Sequence, residues 1–181
     1  MTTVEMRRVW AMPSSDTFDC QPIGEFVQRY LSPAAISIDP FARNKRWATY
    51  TNDLNPETAA EHHLDALDFL AMLRERGVVA DLAIVDPPYS YRQMQECYSG
   101  VGRAITGRES QRFYGDLRDA LMPLLAPRAT VLSFGWNSIG MGKGRGFEMA
   151  ELLLVCHGRA HNDTICIAER RAQPCLALAA R

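Results

Sequence analysis

The chain has 181 residues, 47% hydrophobic and 23% charged, with a formal net charge of -1. Such a length suits one globular domain with a sizeable core, and the near-neutral charge excludes nucleic-acid binding through an overall basic surface, leaving only local patches. The five cysteines are odd in number and form no C-x-x-C pair, so neither a zinc site nor a disulfide framework is indicated.

Apolar runs alternate with helical patterns from about residue 22 onward, which predicts an α/β fold around a mostly parallel sheet. IGEFVQRYL (23–31) places Ile23, Phe26, Val27, Tyr30 and Leu31 at helical spacing, and Ser32-Pro33 stops it. AISID is a first strand ending at Asp39, ATYTND (48–53) a second, and EHHLDA (61–66) a short third. LDFLAMLRERG (67–77) is a helix closed by Gly77. DLAIVD (81–86) is the fourth strand, continuously apolar as a strand covered on both faces should be. Residues 91–115 are polar and rich in Gly and Arg, and read as a long functional loop with one weakly helical piece. LRDALMPLLAP (117–127) is a helix and ATVLSFGW (129–136) a fifth strand. AELLLVCHG and DTICIAER, separated by a few turn residues, predict an antiparallel hairpin. The expected organisation is a single domain over 1–181: an N-terminal helical segment (1–34), a catalytic core (35–171) and a tail (172–181). Nothing resembles a signal peptide, and no apolar run approaches the ~18 residues of a membrane span, so a soluble cytoplasmic protein with no membrane partner is expected.

Ligands of open α/β sheets sit outside the carboxyl ends of the strands. Asp39, Asp53, Asp65 and Asp86 end successive predicted strands. One such acid is ordinarily a helix cap; a set of them suits a molecule rich in hydroxyl and amino groups, such as a nucleoside. The last acid opens Asp86-Pro87-Pro88-Tyr89, for which the bland explanation is a turn with a packed tyrosine. The four residues also make chemical sense together. An exocyclic base amine is a poor nucleophile because its lone pair is delocalised into the ring, and acceptors on both N–H groups localise it. Asp86 offers one acceptor and the Pro87 carbonyl another, prolines hold the turn rigid, and Tyr89 offers a face for an extruded base.

On these residues the chain resembles the amino-methyltransferases of the DNA adenine-N6 type, S-adenosylmethionine-dependent enzymes whose hallmark is Asp-Pro-Pro-Tyr. IDPF (38–41) resembles the family's first cofactor motif, HLDA (63–66) its third, and the final hairpin its reversed strand pair. More closely it resembles the small adenine-methylase-like proteins of bacteriophages and prophages, which carry versions of TNDLNP, FGWNS and HNDTIC; the likeness covers about residues 18–170. The resemblance implies a compact Rossmann-like methyltransferase fold with a C-terminal antiparallel hairpin, S-adenosylmethionine as cofactor, and methyl transfer to adenine N6 in DNA. It assigns Asp86, Pro87, Pro88 and Tyr89 to the target amine, and Asp39, Pro40, Phe41, Asp53, Leu54, Asp65 and Ala66 to the cofactor. Cytosine N4 or an RNA adenine would satisfy the same acceptors, and a catalytically reduced nucleic-acid-binding protein of the same fold is the alternative from another class.

Two features depart from that family. Arg43, Asn44 and Lys45 stand where it has glycines, and only eight residues separate Asp39 from Ala48, fewer than the dozen or so of a usual parallel crossover. Either the cofactor's methionine end is held differently or its binding is weakened or lost; Asp39 and Phe41 still match the motif, so cofactor binding is expected. The chain also leaves no room for a separate target-recognition domain. Substrate contact therefore falls to Ser90, Arg92, Arg103, Arg108 and Arg112 in one stretch and to Trp136, Asn137, Lys143 and Arg145 in another, where positive charge and an aromatic ring suit phosphates and an unstacked base. His157 and His161 flank a turn with Asn162 and Asp163 and are read as hairpin capping, and His62-His63 lacks a matching ligand spacing, so no metal is expected.

Overall fold

The structure, a computed structural model, describes residues 3–158 and 161–172. In chain order it contains β1 (Glu5–Trp10), α1 (Gln21–Leu31), β2 (Ser37–Asp39), β3 (Tyr50–Thr51), α2 (Ala66–Glu75), β4 (Ala80–Val85), α3 (Tyr91–Gly100), α4 (Gly107–Leu121), β5 (Leu125–Gly135), β6 (Phe147–Cys156) and β7 (Thr164–Arg171). The strands form one sheet in the order β1-β6-β7-β5-β4-β2-β3. All neighbours are parallel except β7, which is antiparallel to both β5 and β6. Among the described residues no helix is long and apolar enough to cross a membrane.

The continuous apolar run of β4 follows from its central place. Leu82 and Ile84 turn to one face, where Ile23, Phe26 and Val27 of α1 cover them with Leu132, Phe134, Leu153 and Val155. Ala83 and Val85 turn to the other, against Phe69, Leu70 and Leu73 of α2 and Phe113, Leu117 and Leu121 of α4. Phe26 and Phe69 are wholly buried, each contributing about 2–3 kcal/mol by the area it removes from water. The helices start where the local chemistry supplies acceptors. Asp65 caps α2 through the Leu67 N–H, Ser90 caps α3 through the Gln93 N–H, and Thr106 with Glu109 closes a reciprocal capping box on α4. Gly77, with φ of 69°, ends the α2 segment in the left-handed conformation.

The structure differs from the sequence-based expectation in several parts. The expected helix 117–127 ends at Leu121, where Pro123 and a short 3-10 turn lead into β5 from Leu125, and the expected strand 48–53 pairs only at Tyr50–Thr51. Residues 91–115 are not a loop: they hold α3 and the first half of α4, whose caps and buried Met94, Tyr98 and Phe113 outweigh a polar composition. The expected third strand reduces to one bridge, Asn52 with His62, because Leu64 bonds the Asn52 side chain and Asp65 already caps a helix. The N-terminal segment is not solely helical. It begins with β1, an edge strand whose charged, exposed residues conceal it and which pairs in register from Glu5 opposite Glu151 to Trp10 opposite Cys156. The expected tail lies, from residue 173 on, outside the described residues, as does Cys175.

Candidate functional site

The carboxyl ends of β2, β3, β4, β5 and β6 share one rim, and a buried amide organises its first part. Asn52 donates from Nδ2 to the Pro40 carbonyl at 3.1 Å and the Leu64 carbonyl at 3.0 Å, while its Oδ1 accepts the Leu64 N–H at 2.9 Å. It thereby ties the turn after β2 to the segment entering α2. Asp39 is buried, and its carboxylate accepts the Phe41 N–H at 3.0 Å, which fixes the Pro40-Phe41 turn. Burial pushes the Asp39 carboxyl well above its ordinary range, and neighbouring Asp86 and Asp53 add to this. Asp53 accepts the Arg43 N–H at 3.1 Å and the Asn55 N–H at 2.9 Å, and burial raises its carboxyl too. The connection from β2 to β3 contains turns in place of a helix, with Arg43 at φ of 49°, so the shortened crossover is irregular as its length requires.

At the end of β4, Asp86 accepts a hydrogen bond from the Tyr89 hydroxyl. Burial pushes the Asp86 carboxyl up to about 6, against the hydrogen bonds from Tyr89 and Thr17 that pull it down. Burial, then the Asp86 charge, raises the Tyr89 phenol far above its ordinary value. The motif's backbone is fixed at both ends. The Tyr89 N–H donates to Gln93 Oε1 at 2.7 Å, and the Tyr114 hydroxyl donates to the Pro88 carbonyl. The Pro87 carbonyl accepts no hydrogen bond from the described residues. The Tyr89 ring meets Trp136 edge-on at 5.7 Å between centroids.

Thr17 reaches this pair because residues 11–20 form a strap over the rim. The Ala11 N–H donates to the Cys156 carbonyl at 3.1 Å, extending the β1–β6 pairing. His157 Nδ1 donates to the Ala11 carbonyl at 2.7 Å, its Nε2 lies 2.9 Å from the Thr164 hydroxyl, and its backbone N–H is held by Asp163. Further along, Arg43 donates to the Ser15 carbonyl at 2.6 Å, Lys45 pairs with Asp19, and Phe18 stacks on Trp47.

Between the strap and α3 lies a groove of about 1230 Å³. Its wall includes Pro40, Phe41, Asp53, Leu54 and Ala66, continues through Asp86, Pro87, Pro88, Tyr89 and Trp136, and reaches His157 and His161. A lining that mixes aromatic and proline surfaces with carboxylates and amides can take a flat heterocycle and hydroxyl or cationic groups.

The other expected site residues lie elsewhere. Asp39 sits behind the wall, shaping it. Asp65 turns to α3, where its carboxylate accepts the Tyr98 hydroxyl at 2.7 Å and an Arg103 N–H at 3.3 Å. Ser90 caps α3, Arg92 pairs with Glu96 at 2.8 Å on its exposed side, and Arg108 and Arg112 are exposed on α4. Asn137 accepts the Ile139 N–H at 3.0 Å in the turn after β5. Lys143 and Arg145 precede Phe147, which is paired with Arg171, so they occupy the opposite, amino-terminal rim, where Arg145 binds Asp119 at 2.7 Å. Sequence reasoning missed Thr17, Ser15 and Gln93. Only the strap's course, fixed by β1 at the far edge, brings the first two to the groove.

No protein-family model and no curated protein sequence matches the chain. Solved structures do. SMU.776, a protein assigned as a methyltransferase and complexed with SAH, matches with a TM-score of 0.54 at 13% identity, over 80% of this chain and 48% of its own. TrmN from Thermus thermophilus gives 0.54 at 13% identity over 82% and 48%. NodS, an N-methyltransferase from Bradyrhizobium japonicum WM9, gives 0.52 at 12% identity over 88% and 99%. The chain thus spans about half the length of SMU.776 and TrmN. At these identities the likeness is one of architecture: a seven-stranded sheet, parallel except for β7, in the Rossmann-like methyltransferase fold.

Proposed function

We propose that the chain transfers a methyl group from S-adenosylmethionine to the N6 amine of an adenine in nucleic acid, with DNA the expected form. One juxtaposition carries the proposal: Asp86 and the Pro87 carbonyl, which no described residue engages, are two acceptors on a rigid turn and share a groove with the Tyr89 and Trp136 rings. The groove, at about 1230 Å³, exceeds the roughly 300–1,000 Å³ of ordinary small-molecule pockets, which suits a cofactor beside a base. Asp53, Phe41, Leu54 and Ala66 would hold the cofactor's nucleoside, and the carboxylates favour a cationic ligand. S-adenosylmethionine, when bound, supplies an electrophilic methyl group on a sulfonium.

Asp86 and the Pro87 carbonyl would accept the two N–H groups of the amine and draw its lone pair out of the ring. Asp86 would also take the N–H proton that the amine sheds on methylation. Tyr89 would present a face to the extruded base, a contact of about 1–3 kcal/mol. N-methyl transfer is also the activity of NodS, which shares the fold.

Arg43 in place of a glycine favours a second reading, a binding module of the same fold without turnover. The deciding experiment is transfer of a labelled methyl group to adenine-containing DNA and RNA, with digestion to identify the modified base. Asp86→Ala should abolish transfer while leaving S-adenosylhomocysteine affinity within about threefold, because its acceptor matters most in the transition state. Wild type that binds the cofactor yet methylates neither polymer would establish the binding module.

A further inference from the structure

The groove wall carries Asp53, Glu57, Asp86 and Glu96 but, among the described residues, a single arginine and no lysine: Arg43. Its φ of 49° is one that a residue with a side chain seldom adopts, and the surroundings enforce it. The Asp53 carboxylate takes the Arg43 N–H at 3.1 Å, the Asn52 carbonyl takes the Ala42 N–H at 2.8 Å, and the Ala42 carbonyl takes the Lys45 N–H at 2.8 Å. On its other side the guanidinium donates to the Ser15 carbonyl at 2.6 Å. A guanidinium has five N–H donors in a planar fork, and the described residues engage one of them. The side chain is therefore held at the groove by its backbone and by the strap, with most of its donors free to meet a ligand. Burial raises the carboxyls of Asp53 and Asp86 on either side, and the Arg43 charge offsets part of that rise.

A ligand with a sulfonium, an ammonium and a carboxylate carries two positive charges and one negative. An acid-lined groove with one arginine is its complement. We propose that Arg43 binds the carboxylate at the amino-acid end of the cofactor, replacing the backbone donors of a glycine turn, and makes the groove selective for nucleosides that carry this carboxylate. The proposal rests on the methyl-transfer reading for the identity of the ligand. Guanidinium and carboxylate match as a two-point, charge-assisted pair, which a lysine reproduces only in part.

The test compares two ligands on the full chain by calorimetry: S-adenosylhomocysteine, and 5′-methylthioadenosine, which keeps the nucleoside and thioether but lacks the amino-acid end. Arg43→Met and Arg43→Gly should each weaken S-adenosylhomocysteine by roughly 10- to 100-fold, the scale of hydrogen bonds to a charged partner. Both should leave 5′-methylthioadenosine within about twofold, and Arg43→Lys should fall between. Glycine accepts a positive φ, so Arg43→Gly preserves the turn should the methionine variant unfold. Equal losses for both ligands would overturn the proposal by making Arg43 a scaffold residue. Unchanged or tighter S-adenosylhomocysteine binding by Arg43→Gly would overturn it by making the side chain an obstruction. Wild type that binds neither ligand would remove the cofactor, and the functional reading would fail with it.

Discussion

Asp86→Asn removes a charge from the groove while keeping the side chain's shape, and so separates what the carboxylate does from what it costs. Burial raises the Asp86 carboxyl from the ordinary 3.8 to about 6. That gap of about two pH units corresponds to about 3 kcal/mol, and solvent in the groove should reduce it to about 1.5–3 kcal/mol. The sign follows from proton binding. The folded state holds this proton more tightly than the unfolded chain, so stability falls as pH rises through the window from about 4 to 6, and the full cost is present above about pH 7. Asparagine does not titrate, and its amide oxygen can still accept the Tyr89 hydroxyl. Urea unfolding should therefore find Asp86→Asn more stable than wild type by about 1.5–3 kcal/mol near pH 7.5 and nearly equal to it near pH 4. Asp39 and Asp53, also raised by burial, are common to both proteins and cancel in the difference. Methyl transfer by the variant should be lost. A stability difference that is the same at both pH values, or a less stable asparagine variant near pH 7.5, would refute the claim that Asp86 is held ionised at the expense of the fold.

Tyr89→Phe removes a hydroxyl that holds the Asp86 carboxyl down, so the acid limb of the kcat/KM profile should move to higher pH while part of the activity persists on the remaining ring face; an unmoved limb would take the hydroxyl out of the Asp86 environment. Asp53 and Asp65 should separate by readout. Asp53→Ala should weaken S-adenosylhomocysteine by about 1–3 kcal/mol in calorimetry. Asp65→Ala should leave that affinity unchanged and lower urea stability by about 1–2 kcal/mol through the lost helix cap and its ties to Tyr98 and Arg103.

Residues whose roles are local were legible in the sequence. DLAIVD declares a two-faced central strand, and Asp86-Pro87-Pro88-Tyr89 falls at its end because rigid turns there are written in the residues themselves. The hairpin of β6 and β7 was legible for the same reason, two apolar runs separated by a turn too short for a crossover. Polar helices were less so. The stretch 91–115 has few apolar residues, and the caps at Ser90 and Thr106 are short signals inside a Gly- and Arg-rich context. Acids at strand ends were legible as a set but not as individuals. Asp53 and Asp86 reach the groove, Asp39 turns beneath it, and Asp65 is drawn off by Tyr98 on a helix that the sequence did not reveal.

What stayed hidden depends on a strand at the opposite edge of the sheet. β1 buries little of its own surface, and its charged, exposed residues lack the apolar alternation that marks a strand, so the sequence reads there as part of an N-terminal helical segment. Yet its pairing with β6 carries the chain out at Cys156 and launches residues 11–20 across the rim toward β4. Along that path Ser15 meets Arg43, Thr17 meets the Asp86–Tyr89 pair, and Asp19 meets Lys45. Two of the three residues that depart from the glycine turn, Arg43 and Lys45, thus help to fasten the strap. Lys45 on Asp19, Phe18 on Trp47, and Ala11 on Cys156 and His157 hold the strap independently of Arg43, so a glycine at 43 removes one tie without releasing that wall of the groove, and what it takes from the groove is the guanidinium itself.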